Sequence, residues 1–141
     1  MKKALFITNC SVDSALALRN WAVENKQESI ALTVVHPYDL ESWELNKQAI
    51  KEAKQRAQYQ LGSWLELLAR LDGPDGWPGT LQTETLMASP RLAATIHLLL
   101  RTYDYVVVED PWNQTPLVSA ELLRRSGAQL CPLAESAGVL R

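Results

Sequence analysis

Asp104–Leu133 reads DYVVVEDPWNQTPLVSAELLRRSGAQLCPL. Tyr105–Val108 is a short apolar run, the pattern of a strand covered on both faces. Pro116 opens a predicted helix that reaches about Ser126 and ends at Gly127. Gln129–Leu133 then predicts another strand. Strand, loop, helix and strand make one unit of an open α/β sheet, whose ligands sit at the carboxyl ends of the strands. The loop in that position is Glu109–Pro116, EDPWNQTP. Loops that wrap phosphates are rich in glycine, so that backbone N–H groups can approach the anion. This one has two acids, two prolines, a tryptophan and no glycine.

Outward from this unit the chain repeats the same alternation. Ala4–Thr8 and Ser29–Val35 read as buried strands, and His36-Pro37 is expected to stop the second, because proline cannot donate to a central ladder. Ser11 or Asp13 can cap a helix over about Ser14–Lys26. From about Glu44 to Leu71, apolar residues recur at spacings of three and four, giving one long helical stripe. Asp72–Gly79 is dense in turn residues. Thr80–Met87 alternates and reads as an edge strand. Ser89-Pro90 opens a helix to about Thr102, with Leu92, Ile96, Leu99 and Leu100 expected inward. The tail from Ala134 to Arg141 shows no clear element. The order βαβαβαβαβ predicts a parallel five-stranded sheet with helices on both faces, in one domain over residues 1–141.

Composition narrows the function classes. Of the 141 residues, 47% are hydrophobic and 21% charged, with a formal net charge of −2, which disfavours a dedicated nucleic-acid binder. Lys47, Lys51, Lys54 and Arg56 read as a solvated helix face. No apolar run approaches the ~18 residues of a membrane span. Met1-Lys2-Lys3 leads straight into the first strand without a signal-peptide core. The expectation is a cytoplasmic protein with reduced thiols at Cys10 and Cys131.

Four segments together resemble the universal stress proteins. Ser11–Arg19, SVDSALALR, is similar to the S-x-x-S-x-x-A-L helix start of that family. Leu32–Tyr38, LTVVHPY, is similar to its second strand, and Asp104–Val108 to its D-L-I-V-M strand. Ser119–Arg124 followed by Cys131-Pro132-Leu133 is similar to S-x-x-x-x-L-R…C-P-V. The resemblance spans Ala4 to Leu133. It implies a Rossmann-like sheet of order 3-2-1-4-5 and a homodimer across the fifth strand, with Leu130, Cys131 and Leu133 at the interface. It also implies a stress-response role. In some branches it implies ATP near strands one, two and four.

The ATP-binding pattern of the family is degraded here. Its aspartate at the end of the first strand is Asn9. Its glycines in G-x2-G-x9-G-S/T fall on Glu109, on Trp112 and near Leu122. Glu109 and Asp110 put negative charge where phosphates would lie; two unit charges ~4 Å apart repel by about 4 kcal/mol at an effective dielectric of 20. The expectation is therefore a regulatory or scaffolding homodimer without ATP, cofactor or catalysis, acting through an unidentified protein partner. The alternative is a small ligand or nucleotide held by Asn9, Cys10, Val35, His36, Glu109 and Asp110. Cys10, His36 and the two acids also carry metal-ligand chemistry, but no ligand spacing supports a metal. Cys10 reads as a small packed residue where relatives often have glycine, Cys131 as packing, and His97 as a polar-face or satisfied histidine. Trp21 and Trp64 fit helix packing faces; Trp43, Trp77 and Trp112 fall in predicted loops as candidate loop or partner anchors.

Overall fold

The computed structural model describes residues 1–25, 28–40, 46–72, 79–108 and 117–133, with Asp72 described by its backbone only. The elements run β1 Lys2–Ile7, α1 Val12–Glu24, β2 Ile30–Tyr38, α2 Lys47–Asp72, β3 Thr80–Met87, α3 Pro90–Leu100, β4 Tyr105–Val108, α4 Ala120–Ser126 and β5 Gln129–Pro132. All strand pairings are parallel, and the order is β3-β2-β1-β4-β5. The fold class and strand order expected above are those observed. Glu109–Pro116, Trp43, Trp77 and the tail from Ala134 lie outside the described residues.

The two-residue period of the strands sorts the core into two layers. Ala4, Phe6, Leu32 and Val34 face one side, where Leu18 and Trp21 of α1 and Leu61, Trp64 and Leu68 of α2 cover them. Leu5, Ile7, Val35 and Val106 face the other, under Ala93, Ala94 and Leu98 of α3 and beside Leu117 and Val118. The stripe read in α2 is confirmed: Ala53, Ala57, Leu61, Trp64 and Leu68 are buried. Ser11 caps α1 and accepts from Ser14 N–H; Ser89 and Ser119 cap α3 and α4 in the same manner. Lys47, Lys51, Lys54 and Arg56 are exposed.

Three local expectations are corrected. First, β2 does not stop at Pro37. Thr8 N–H donates to Val35 O, and Ala88 N–H donates to Tyr38 O. Backbone groups alternate sides along a strand, so Val35 and Pro37 face β1 while His36 and Tyr38 face β3. The β1 register ends at Ile7↔Val35, whereas β3 pairs on to Tyr38↔Met87. The missing N–H of Pro37 thus points where no ladder continues.

Second, α3 is turned differently. Leu92, Leu99 and Leu100 are exposed at 50%, 69% and 77%, and Ile96 is half-buried. Ala93, Ala94, His97 and Leu98 face inward instead. The two alanines let the helix axis lie close to the sheet, and the buried His97 is bonded on both ring nitrogens. Third, α4 begins at Ala120 rather than at Pro116. Leu117 and Val118 are drawn into the core under the sheet, so the chain turns helical only after them.

Candidate functional site

The carboxyl ends of β1 and β2 converge on Thr8, a residue that no motif or spacing singles out. Its N–H bonds Val35 O, and its carbonyl accepts from His36 Nδ1 at 3.1 Å. The described ligand candidates Asn9, Cys10, Val35 and His36 are therefore neighbours. Val35 is wholly buried and its carbonyl is engaged. His36 is 6% exposed. With Nδ1 donating to Thr8, Nε2 pairs with the Gln60 carboxamide at 3.1 Å, whose oxygen and nitrogen exchange by a half-turn. Both imidazole nitrogens are thus held inside the protein, which fits an orienting role better than a metal ligand.

The β1–α1 connection closes on itself in the same way. The Asn9 carboxamide oxygen accepts Ser11 N–H at 3.0 Å, an Asx turn. Cys10 N–H donates to Thr8 Oγ1 at 3.0 Å. Ser14 Oγ donates to Ser11 O at 2.8 Å, which leaves Thr8 as the donor in the 2.9 Å Thr8–Ser14 hydroxyl contact. The Trp64 indole N–H reaches Ser14 Oγ at 2.9 Å and Ser11 O at 3.0 Å. Cys10 has φ = 63°, the left-handed conformation that glycine adopts without cost. This agrees with its reading as the occupant of a glycine position. Ser14, Gln60 and Trp64 were missed as parts of this network; the four-residue spacing of Gln60 and Trp64 was the available signal.

Glu109, Asp110 and Trp112 lie outside the described residues. Leu122, at the third glycine position, lies in α4 and packs against the core. Among the described residues no three His, Cys, Asp or Glu side chains cluster as a metal site would require. A wide depression of about 670 Å³ runs along α2 beside Gln60, lined by Glu52, Gln55, Arg56 and Tyr59.

At the expected interface, Leu130 is 42% exposed while Leu133 is buried at 5% and belongs to the α1/α2 core layer. Cys131 is half-buried. Gln129 N–H donates to Asp104 O and Leu133 N–H to Val108 O. Odd-numbered residues of β5 thus bond inward, and Leu130 and Pro132 face the open edge. Pro132 has no N–H to offer there. Among the described residues, no helix is long and apolar enough to cross a membrane.

No family model matches the sequence, and no curated protein does. Solved structures do. "Universal stress protein UspA from Lactobacillus plantarum" aligns over 94% of this chain and 97% of its own, at 11% identity and a TM-score of 0.64. A universal stress protein family protein from Arabidopsis thaliana with AMP bound aligns over 94% and 91%, at 12% identity and 0.59. The universal stress protein from Archaeoglobus fulgidus in complex with dAMP aligns over 94% and 97%, at 14% identity and 0.57. The chain has the fold of the universal stress proteins, over nearly its whole length.

Proposed function

We propose that this protein is a regulatory or scaffolding homodimer of the stress response that does not bind ATP in the usual pose, has no catalysis of its own, and works in the cytoplasm through a protein partner. The observation that carries the reading is the closed β1–α1 connection. Thr8, Asn9, Ser11 and Ser14 meet one another or Trp64 and His36, rather than presenting a ring of backbone donors to an anion. The sequence of the loop after β4, acidic and without glycine, supports the same reading. Isothermal calorimetry with ATP, with and without magnesium, tests it: no heat up to millimolar nucleotide is expected, and micromolar binding would overturn it. Sedimentation equilibrium tests the dimer, and a monomer at all micromolar concentrations sinks that part.

The second reading is a nucleotide or small-ligand binder at the same groove. The AMP and dAMP complexes among proteins of this fold favour it. On that reading the adenine end lies near Asn9 and Val35, and Asn9→Ala weakens binding in the same titration. If Asn9→Ala leaves the isotherm unchanged, the nucleotide sits elsewhere.

A further inference from the structure

On the α3/α4 side of the sheet, the edge is not roofed by helix as fully as the middle. α3 packs over β2 and β1 and reaches β3 through its buried His97, whose Nε2 lies 2.9 Å from Glu84 Oε1. Toward the amino ends of the strands the sheet surface turns polar. Thr80, Gln82 and Glu84 of β3 pair with Ala31, Thr33 and Val35 of β2, and Val35 faces the α3/α4 layer, so the first three β3 residues on that face are polar, and only Leu86 beyond them packs into that layer. A cavity of about 410 Å³ opens there, lined by Lys3, Thr33, Thr80, Gln82, Arg101 and Tyr103, with no acidic side chain among the described residues of its wall. It continues through Thr33, Gln82 and Arg101 into a second of about 430 Å³, which Glu84 borders.

Among the described residues, the cations and the acids at this place are engaged differently: Lys3 and Arg101 are exposed. The two nearby acids are held by contacts of their own: Glu84 pairs with His97, and Asp104 Oδ2 accepts Lys3 N–H at 2.8 Å. Tyr103 is 4% exposed and its hydroxyl is 3.1 Å from His97 Nδ1. Thr33 is 9% exposed. A volume of this size suits a small molecule. Two cations over a floor of hydroxyl and amide groups suit an anion with a polar body, and a guanidinium can grip a carboxylate or phosphate with two parallel bonds.

We propose that this shelf is a second ligand site. It takes a small metabolite through one carboxylate or phosphate, held by Lys3 and Arg101, with hydroxyl or amide groups of the ligand on Thr33, Thr80 and Gln82. The site lies at the amino ends of the strands, away from the Thr8 groove, and does not depend on what that groove binds. Arg101 caps α3, its N–H bonding His97 O at 2.9 Å, so an occupied shelf also braces the helix against β3.

The test is a titration of the 15N-labelled protein with inorganic phosphate and, separately, with acetate, at constant ionic strength, followed by amide shifts. Saturable shifts at Lys3, Thr33, Gln82 and Arg101 are expected with at least one anion. Saturation by phosphate alone identifies a phosphate ester as the ligand class, and by acetate alone a carboxylate. Arg101→Gln should weaken binding at least about tenfold, as should Lys3→Gln, an exposed change that keeps the fold if the first does not. Asn9→Ala should leave these shifts unchanged. Shifts that do not saturate, that survive both charge substitutions, or that centre on Asn9–Ser11 would overturn the proposal.

Discussion

The indole of Trp64 on α2 and the hydroxyl of Ser14 on α1 meet at 2.9 Å, and this contact ties the long helix to the end of β1. Trp64 is 2% exposed and lies 6.3 Å from the Phe6 ring, centroid to centroid. It fills the core and supplies a donor to two acceptors of one turn. Trp64→Phe keeps most of the volume and removes the donor. The expected loss is ~1–3 kcal/mol in urea denaturation followed by circular dichroism. An unchanged midpoint would mean that water replaces the indole without cost.

The backbone at Cys10 predicts an asymmetric response to substitution. At φ = 63° a β-branched side chain is a steric outlier, whereas glycine is at ease but loses the thiol's packing against the core. Cys10→Gly should stay within ~1 kcal/mol of the parent, and Cys10→Val should lose ~1–3 kcal/mol. Equal losses in both would show that packing, not backbone conformation, governs the position.

Gly79 precedes β3 at a place where no side chain fits. A Cβ there would stand 1.9 Å from the carbonyl oxygen of Ile30. Since the obstacle is backbone at the start of β2, the two strands must part for Gly79→Ala to fold. A loss of ~2 kcal/mol or more is expected, with faster hydrogen exchange at Leu32 and Gln82, whose N–H groups face the partner strand in this register. A silent substitution would contradict the register at that end.

Alkaline pH should destabilise the fold. The Glu28 carboxylate accepts from Tyr105 Oη at 2.9 Å, and this bond, with burial, raises the phenol above its ordinary range. Burial and the same Glu28 raise the Cys131 thiol. Both groups hold their protons more tightly folded than unfolded. Their contribution is therefore complete below the unfolded values and is lost as pH rises through the folded ones, above pH ~9. Thermal melts from pH 8 to 11 should fall, less steeply in Tyr105→Phe. Cys131 should also alkylate more slowly at pH 8 than a small free thiol, since the thiolate is the reacting form. A rate equal to the free thiol would remove the burial argument.

The edge of β5 sets a narrow condition for pairing between copies. Leu130 offers its N–H outward and Pro132 offers none. If two copies pair edge to edge, Leu130→Pro abolishes the dimer in sedimentation while leaving the inward bonds of Gln129 and Leu133 intact. A dimer that survives this change uses another surface.

The alternation of strands and helices was legible because it rests on local rules. Continuous apolar runs such as Ala4–Ile7 suit only a sheet covered on both faces, and Ser11, Ser89 and Gly127 mark helix ends through their own backbone chemistry. The rotation of α3 was not legible. Counting large apolar residues puts Leu92, Leu99 and Leu100 inward, but the sheet accepts Ala93 and Ala94 at close range and His97 where Glu84 and Tyr103 await it. Those partners lie outside the helix, so no period within it reveals them. The same holds for Thr8, an ordinary strand-end threonine until Val35, His36 and Ser14 are brought around it.

The sequence by itself determined the succession of elements, the parallel sheet and the absence of a glycine-rich phosphate loop, because residue type and spacing decide these locally. Only the tertiary structure decided which strand Pro37 faces, which side of α3 is buried and which polar groups of the β1–α1 turn are already engaged. Each depends on where another strand ends or another helix lies, and a hydrogen bond between distant residues exists only once the chain has closed around it.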